Sequence, residues 1–259
     1  MGIGITETPM IATHPKTFDF SNEFLDRQVL YFGELSVSST SKIDDNRLLS
    51  ILNKNAAKLE SNRKAIIYCS LGTVTINFLS ICHSFFKKIS LVAALNPSVE
   101  FILAVGKRYD INQLGKTPSN LSVFPFVPQA ELLKHVDLMI NHGGINTIKE
   151  CIREGVPMIV YPLSLEWDQP GCAARVVYHK LGLMGNIRKE GVKTINNKIH
   201  TLIKNLERYK AGVRHMRERI EEVNMLEQEK ILSLIEDNMS NKISTTNFLH
   251  YDPFQRTTK

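Results

Sequence analysis

Asn141-His142-Gly143-Gly144 runs out of an apolar segment, Val136–Ile140, and into a stretch with helical spacing, 143–155. Residue types in that order suit one task. Two glycines let the backbone close on a ligand. A helix start offers unpaired N–H groups and the positive end of the dipole, which together make an anion site suited to phosphate. Asn146 and Thr147 lie in the first turn and can add side-chain donors, and His142 can add a further donor or a positive charge.

Glu150 lies seven residues after Gly143, about 10 Å along a helix axis at 1.5 Å per residue. It shares a face with Asn146 and Thr147. A carboxylate there would repel phosphate but can accept hydrogen bonds from the hydroxyls of a ribose. Phosphate at the tip and ribose along the same face point to a nucleotide. Asp168-Gln169 open the next helix, where an acid and an amide can bind vicinal hydroxyls of a sugar. On spacing alone Asp168 reads equally well as an N-cap. Taken singly, each residue has an ordinary reading: Gln129 a polar helix start, Glu150 a solvated acid, Phe126 core. Their order on successive strand and helix ends argues for a site, because ligands of open α/β sheets bind beyond the carboxyl ends of the strands.

The elements that must position these residues alternate. Apolar, β-branched runs predict strands at 64–70, 98–106, 120–126, 136–140 and 157–162. Helices are predicted at 46–60, 77–94, 128–135, 143–155 (closed by Gly155) and 168–181 (ended by Gly182). This is the pattern of a parallel sheet with helices on both faces. Leu206, Tyr209, Val213, Met216, Ile220, Val223 and Leu226 recur at spacings of three and four and predict a long final helix that faces the core or bridges domains. Residues 1–32 read as irregular, with Phe18, Phe20 and Phe24 as aromatic anchors, and 36–46 as a linker. The last residues, from Ser240, read as loosely held.

Composition excludes several classes. The chain has 259 residues, 43% hydrophobic and 22% charged, which is globular and large enough for a core. Apolar runs reach only five residues, as in Leu91–Leu95, so no membrane span is expected. No signal peptide is visible at the N-terminus. The four cysteines form no CxxC pair, which excludes a zinc ribbon and fits free thiols in a cytoplasmic protein. The net charge of +6 is spread through the chain and suits an anionic small molecule as well as nucleic acid. The Gly2/Gly4 pair follows no strand and is no dinucleotide fingerprint.

The stretch 126–169 resembles the signature of the UDP-glycosyltransferases with the GT-B fold, closest to the bacterial natural-product enzymes. The matching residues are Phe126-Val127-Pro128-Gln129, His142-Gly143-Gly144-Ile145-Asn146-Thr147, Glu150, Gly155-Val156-Pro157 and Asp168-Gln169, with Ser70-Leu71-Gly72-Thr73 after the first strand. The resemblance covers residues 60–240 and implies a Rossmann-like α/β domain, one half of a GT-B fold. It implies that Phe126 stacks on uracil, with Val127 in the same donor-binding stretch, and that Gln129 bonds near the base or ribose. It further implies that Glu150 holds the ribose hydroxyls, and that His142, Gly144, Asn146 and Thr147 bind the diphosphate with Ser70 and Thr73 nearby. Asp168 and Gln169 would hold the transferred sugar. Transfer would be inverting, from a UDP-sugar to a hydroxyl acceptor, with no metal and no other cofactor.

The chain departs from that pattern in three places. Phe126 stands where the family has tryptophan, and Cys172 where it has asparagine. The acceptor domain and its histidine base should come first, yet only 1–45 precede the donor domain expected at 46–240. That segment reads as a remnant of a preceding domain plus linker, with 241–259 as a tail. His14 falls in it, but no pattern marks it as the base, and no catalytic residue is assigned. A separate acceptor-binding domain or subunit is one implied partner; nucleic acid is not. The alternative is a nucleotide-sugar-binding module without transfer activity of its own.

Overall fold

The computed structural model describes residues 10–20, 29–31, 33, 35, 41–57 and 63–240. Phe24, residues 36–40 of the expected linker, the end of the helix expected at 46–60, the Gly2/Gly4 pair and the tail 241–259 lie outside them.

A six-stranded sheet, parallel throughout, forms the centre, in the order β5-β4-β3-β6-β7-β8. Its strands are β3 (Ile66–Ser70), β4 (Glu100–Ala104), β5 (Leu121–Phe124), β6 (Leu138–Asn141), β7 (Met158–Val160) and β8 (Gly182–Met184). Because side chains alternate across a strand, each strand feeds two cores. Ile66 and Tyr68 face one side, with Met139, Met158 and Val160. Ile67 and Cys69 face the other, with Leu138, Ile140 and Ile159. Both faces are covered, which is why the strands read as continuous apolar runs rather than alternating ones.

Five helices cover the first face: α1 (Asn46–Ala56), the short α3 (Gln129–Leu132), α4 (Ile145–Glu154), α5 (Gln169–Tyr178) and α7 (Leu206–Ser240). The other face is covered by α2 (Leu79–Leu95) and α6 (Val192–Lys204). Phe85, Phe86 and Ile89 of α2 are fully buried there, each contributing about 1.5–3 kcal/mol by leaving water. Asp45 caps α1, accepting from the N–H groups of Arg47 (2.9 Å) and Leu48 (3.0 Å), worth about 1 kcal/mol. Helix α4 ends as expected at Gly155, whose N–H bonds back to Cys151 and Ile152.

Two expectations are corrected. The helix after Asp168 stops at Tyr178, and Gly182 begins β8 instead of ending a helix. A Cβ on Gly182 would stand 1.8 Å from the Met158 carbonyl oxygen, so glycine is there to let β8 lie against β7. Helix α6 went unpredicted, although Ile195, Ile199 and Leu202 repeat at helical spacing and are all buried. The stripe on α7 does face the core at Val213, Met216 and Ile220.

Ahead of the sheet, β1 (Met10–Ala12) and β2 (Val29–Tyr31) form a separate parallel pair. The segment around them packs on α7 and α5. No helix among the described residues is long and apolar enough to cross a membrane.

Candidate functional site

In the strand order, chain direction along the sheet switches between β3 and β6, the point where open α/β sheets bind ligands. A cavity of about 940 Å³ lies across the carboxyl ends of the strands there. Every site residue expected from sequence lines it except Glu150: Ser70, Thr73, Phe126, Val127, Gln129, His142, Gly144, Asn146, Thr147, Asp168 and Gln169.

At the centre, the His142 ring is wedged between two glycines. A Cβ on Gly72 would fall 2.5 Å from its Cε1, and one on Gly144 would fall 2.8 Å from its Nε2. Gly72 also has φ +75°, a conformation that L side chains rarely adopt. The ring is 9% exposed. Burial lowers its pKa, with Asp168 pulling the other way, so the folded site disfavours the imidazolium. Its Nδ1 has no hydrogen-bond partner among the described residues. Asn141, just before it, accepts from the Gly143 N–H at 2.8 Å and so folds the turn. Gly144 supplies no capping side chain to α4. The first-turn N–H groups of α4 therefore open on the cavity, which Gly144–Thr147 line.

One step away is a polar chain. Gln129 Nε2 donates to Glu150 Oε2 at 2.6 Å and to Thr147 Oγ1 at 3.2 Å. Tyr68 O–H donates to Gln129 Oε1 at 3.4 Å. Glu150 is buried and meets the cavity lining through Gln129.

On the β7 side, Asp168 makes no N-cap hydrogen bond and is exposed. The capping reading of this residue fails on geometry. The Cys172 thiol lies 3.9 Å from Asp168 Oδ2; burial, then Asp168, push its pKa up to about 11. Gln169 is 2% exposed, and its Oε1 accepts from the Leu163 (2.8 Å) and Ser164 (3.2 Å) N–H groups. Its carbonyl end is therefore committed to the β7–α5 loop, leaving its amide nitrogen as the end able to donate to a ligand.

At the opposite end, Phe126 is 59% exposed, with Lys107 Nζ 5.1 Å from its ring centroid. Val127 buries its side chain in the core, so only its backbone can serve the cavity. Sequence reasoning missed Lys107, Arg108, Tyr68 and Trp167, which also line the cavity. Lys107 and Arg108 directly follow the strand predicted at 98–106, a position that does not by itself distinguish them from other basic residues. Trp167, the single tryptophan, stacks edge-on against Phe78.

His14 does not line the cavity. It stands 3.6 Å from Asp19, whose carboxylate accepts from Arg175 Nε (2.9 Å) and Nη2 (2.7 Å) and from Tyr31 O–H (3.0 Å). Burial lowers the His14 pKa, with Arg175 adding to the effect. His179 Nε2 contacts the carbonyls of Phe18 and Asp19. This cluster holds the N-terminal segment to α5. Among the described residues, no group of three or more His, Cys, Asp or Glu side chains is placed to hold a metal ion.

The family model described as UDP-glucoronosyl and UDP-glucosyl transferase matches residues 53–220. The uncharacterised UDP-glucosyltransferase YdhE of Bacillus subtilis (strain 168) is 28% identical over 180 residues, covering 68% of this chain and 42% of that protein. Two solved structures share the fold. The glycotransferase of kitacinnamycin aligns with a TM-score of 0.66 at 21% identity, over 83% of this chain and 51% of that one. The glycosyltransferase VinC, solved in complex with DTDP, aligns with a TM-score of 0.60 at 18% identity, over 82% of this chain and 47% of that one. The chain thus spans less than half the length of the curated relative and about half that of the structural ones.

Proposed function

The chain belongs to the UDP-glucoronosyl and UDP-glucosyl transferase family, and on that premise we propose that it binds the UDP-sugar donor for transfer to a hydroxyl acceptor. The observation that carries the reading is His142, wedged between Gly72 and Gly144 at the open N-terminus of α4, with a buried nitrogen lacking a partner.

The roles follow the sheet order. Phe126 stacks on the base. Gln129, backed by Glu150, bonds the ribose hydroxyls. The first turn of α4 and His142 hold the diphosphate, with Asn146, Thr147, Ser70 and Thr73 around it. Asp168 and the Gln169 amide hold the sugar.

In transfer, the acceptor oxygen bonds to the anomeric carbon from the face opposite the diphosphate while the bond to UDP oxygen breaks, inverting that carbon. Negative charge grows on the departing UDP. Fixed N–H dipoles and the His142 ring are aimed where that charge develops, which lowers the barrier without reorganisation. The acceptor hydroxyl proton passes to a general base, a role assigned to none of the described residues. Localisation in the cytoplasm is part of the same proposal.

Calorimetric titration of the full chain with UDP tests the donor site; no binding at millimolar UDP overturns it. A second reading, a donor-binding module that does not transfer on its own, is favoured by His14, which stands against Asp19 and does not line the cavity. It expects little or no turnover of UDP-sugar by the purified chain, and vigorous turnover would exclude it.

A further inference from the structure

Asp168 lines the cavity without a capping bond to its own helix. Along α5 its carboxylate meets the Cys172 thiol at 3.9 Å, a weak donor at long range. The loop that leads to it from β7 is pinned at its start, where Gln169 Oε1 takes the Leu163 and Ser164 N–H groups. Further on, Leu165 is 84% exposed. Trp167, directly before Asp168, is held again: its ring lies edge-on to Phe78, with centroids 5.6 Å apart. Phe78 ends the segment after β3 and packs against the core on the α2 face. Strand β6 lies between β3 and β7. The two rings therefore meet across the carboxyl end of β6, spanning two strand spacings, about 10 Å. Trp167 lines the cavity and Phe78 does not.

Resting on the reading of Asp168 as a sugar contact, we infer that Trp167 is a positioning residue: braced on Phe78, it holds the loop after β7 so that Asp168 meets the transferred sugar already in place. Edge-to-face is a favoured arrangement of two aromatic rings and is worth more than the area it buries. Trp167 and Asp168 share one planar peptide unit, so a ring fixed against a packed core fixes the backbone that carries the carboxylate. Without the brace, the ligand itself must order that backbone. Fixing one residue in this way costs on the order of five- to thirtyfold in an equilibrium constant. The nucleotide end of the cavity stands on other supports: Gln129 on Glu150, and the His142 ring between Gly72 and Gly144. The brace therefore acts on binding of the sugar and leaves binding of the nucleotide alone.

The test is calorimetry of the full chain with UDP and UDP-glucose, in the original sequence and in Trp167→Ala, Trp167→Phe and Phe78→Ala. Trp167→Ala and Phe78→Ala should each weaken UDP-glucose at least about fivefold and leave UDP within about twofold. Trp167→Phe keeps a ring against Phe78 and should hold UDP-glucose within about threefold of the original. In an Asp168→Asn background, Trp167→Ala should have little further effect, because the ring acts through that carboxylate. Trp167 is the single tryptophan, so its emission reports the brace directly and should move to the red in Phe78→Ala. Phe78→Leu, which keeps apolar bulk and removes the ring, replaces Phe78→Ala if the latter loses UDP binding. A loss in Trp167→Ala without one in the Phe78 variant overturns the inference, since the indole would then touch the sugar itself. Equal weakening of both probes by Trp167→Ala, a full additive loss on top of Asp168→Asn, or unchanged emission in the Phe78 variant also overturns it. UDP binding alongside any of these results leaves the donor site standing. Failure of the original chain to bind either probe removes both.

Discussion

Gln129 Nε2 lies 2.6 Å from Glu150 Oε2, a charge-assisted hydrogen bond between the short helix after β5 and the interior of α4. It ties the two walls of the cavity together just where a ribose would lie. Glu150→Ala removes the acceptor and leaves the Gln129 amide short of a partner. UDP binding should weaken by about 1–3 kcal/mol. In a double-mutant cycle with Gln129→Ala, the two losses should fall short of additive, because the residues act as one unit. Additive losses, read by calorimetry, would mean that they act separately.

A methyl group at Gly144 would press on His142 Nε2 at 2.8 Å and Cε1 at 3.0 Å. The ring is closed in on its other side by Gly72. Gly144→Ala should therefore lower UDP affinity at least about tenfold and cost about 1–3 kcal/mol of stability through overpacking. UDP titration and denaturant unfolding read the two effects, and an unchanged affinity would show that ring placement does not matter.

His142 also sets a pH dependence. Burial holds its pKa below the ordinary value of 6.5. Between 6.5 and that lower value the unfolded chain takes up a proton that the folded site refuses. Stability should therefore fall as pH drops through this window and level off below it. A bound diphosphate favours the imidazolium and raises the pKa, so UDP-glucose, whose phosphates do not titrate there, should bind more tightly as pH falls from about 8 to 6. His142→Gln should abolish that slope in calorimetry. An identical slope in the variant would assign it to another group.

Asp168 separates two roles cleanly. It makes no capping bond to α5. Asp168→Asn should thus change thermal stability by less than about 0.5 kcal/mol, whereas removal of a working cap costs about 1 kcal/mol. The same variant should weaken binding of a UDP-sugar relative to UDP itself. An equal effect on both ligands would place the carboxylate away from the sugar.

Most of this fold and site was legible in the residues, for physical reasons. Strands buried on both faces announce themselves as unbroken apolar runs; β3, β4, β5 and β7 fell inside the predicted ranges, and β6 ran one residue past its own, to Asn141. Helix α6 escaped because its buried Ile195, Ile199 and Leu202 are diluted by asparagine and lysine on the exposed faces. Strand β8 escaped because it is three residues long and opens with a glycine that reads as a stop. At the site, motif spacing found the side chains beyond β6 and β7. It could not show that Glu150 is reached through Gln129, nor that Gln169 spends its carbonyl on the Leu163 and Ser164 N–H groups. Lys107 was hidden because one lysine after a strand looks like any other; only its contact with Phe126 distinguishes it.

The cluster of Asp19, Arg175 and His179 has a mechanical consequence. Asp19 grips Arg175 with two hydrogen bonds, and His179, the C-cap just past the end of α5, grips the carbonyls of Phe18 and Asp19. Helix α5 is the element that begins at Asp168-Gln169. The N-terminal segment is therefore a handle bolted to the far end of a rigid ten-residue rod, and a pull or twist on that handle is delivered at the rod's other tip, to Asp168 and Gln169 in the cavity wall.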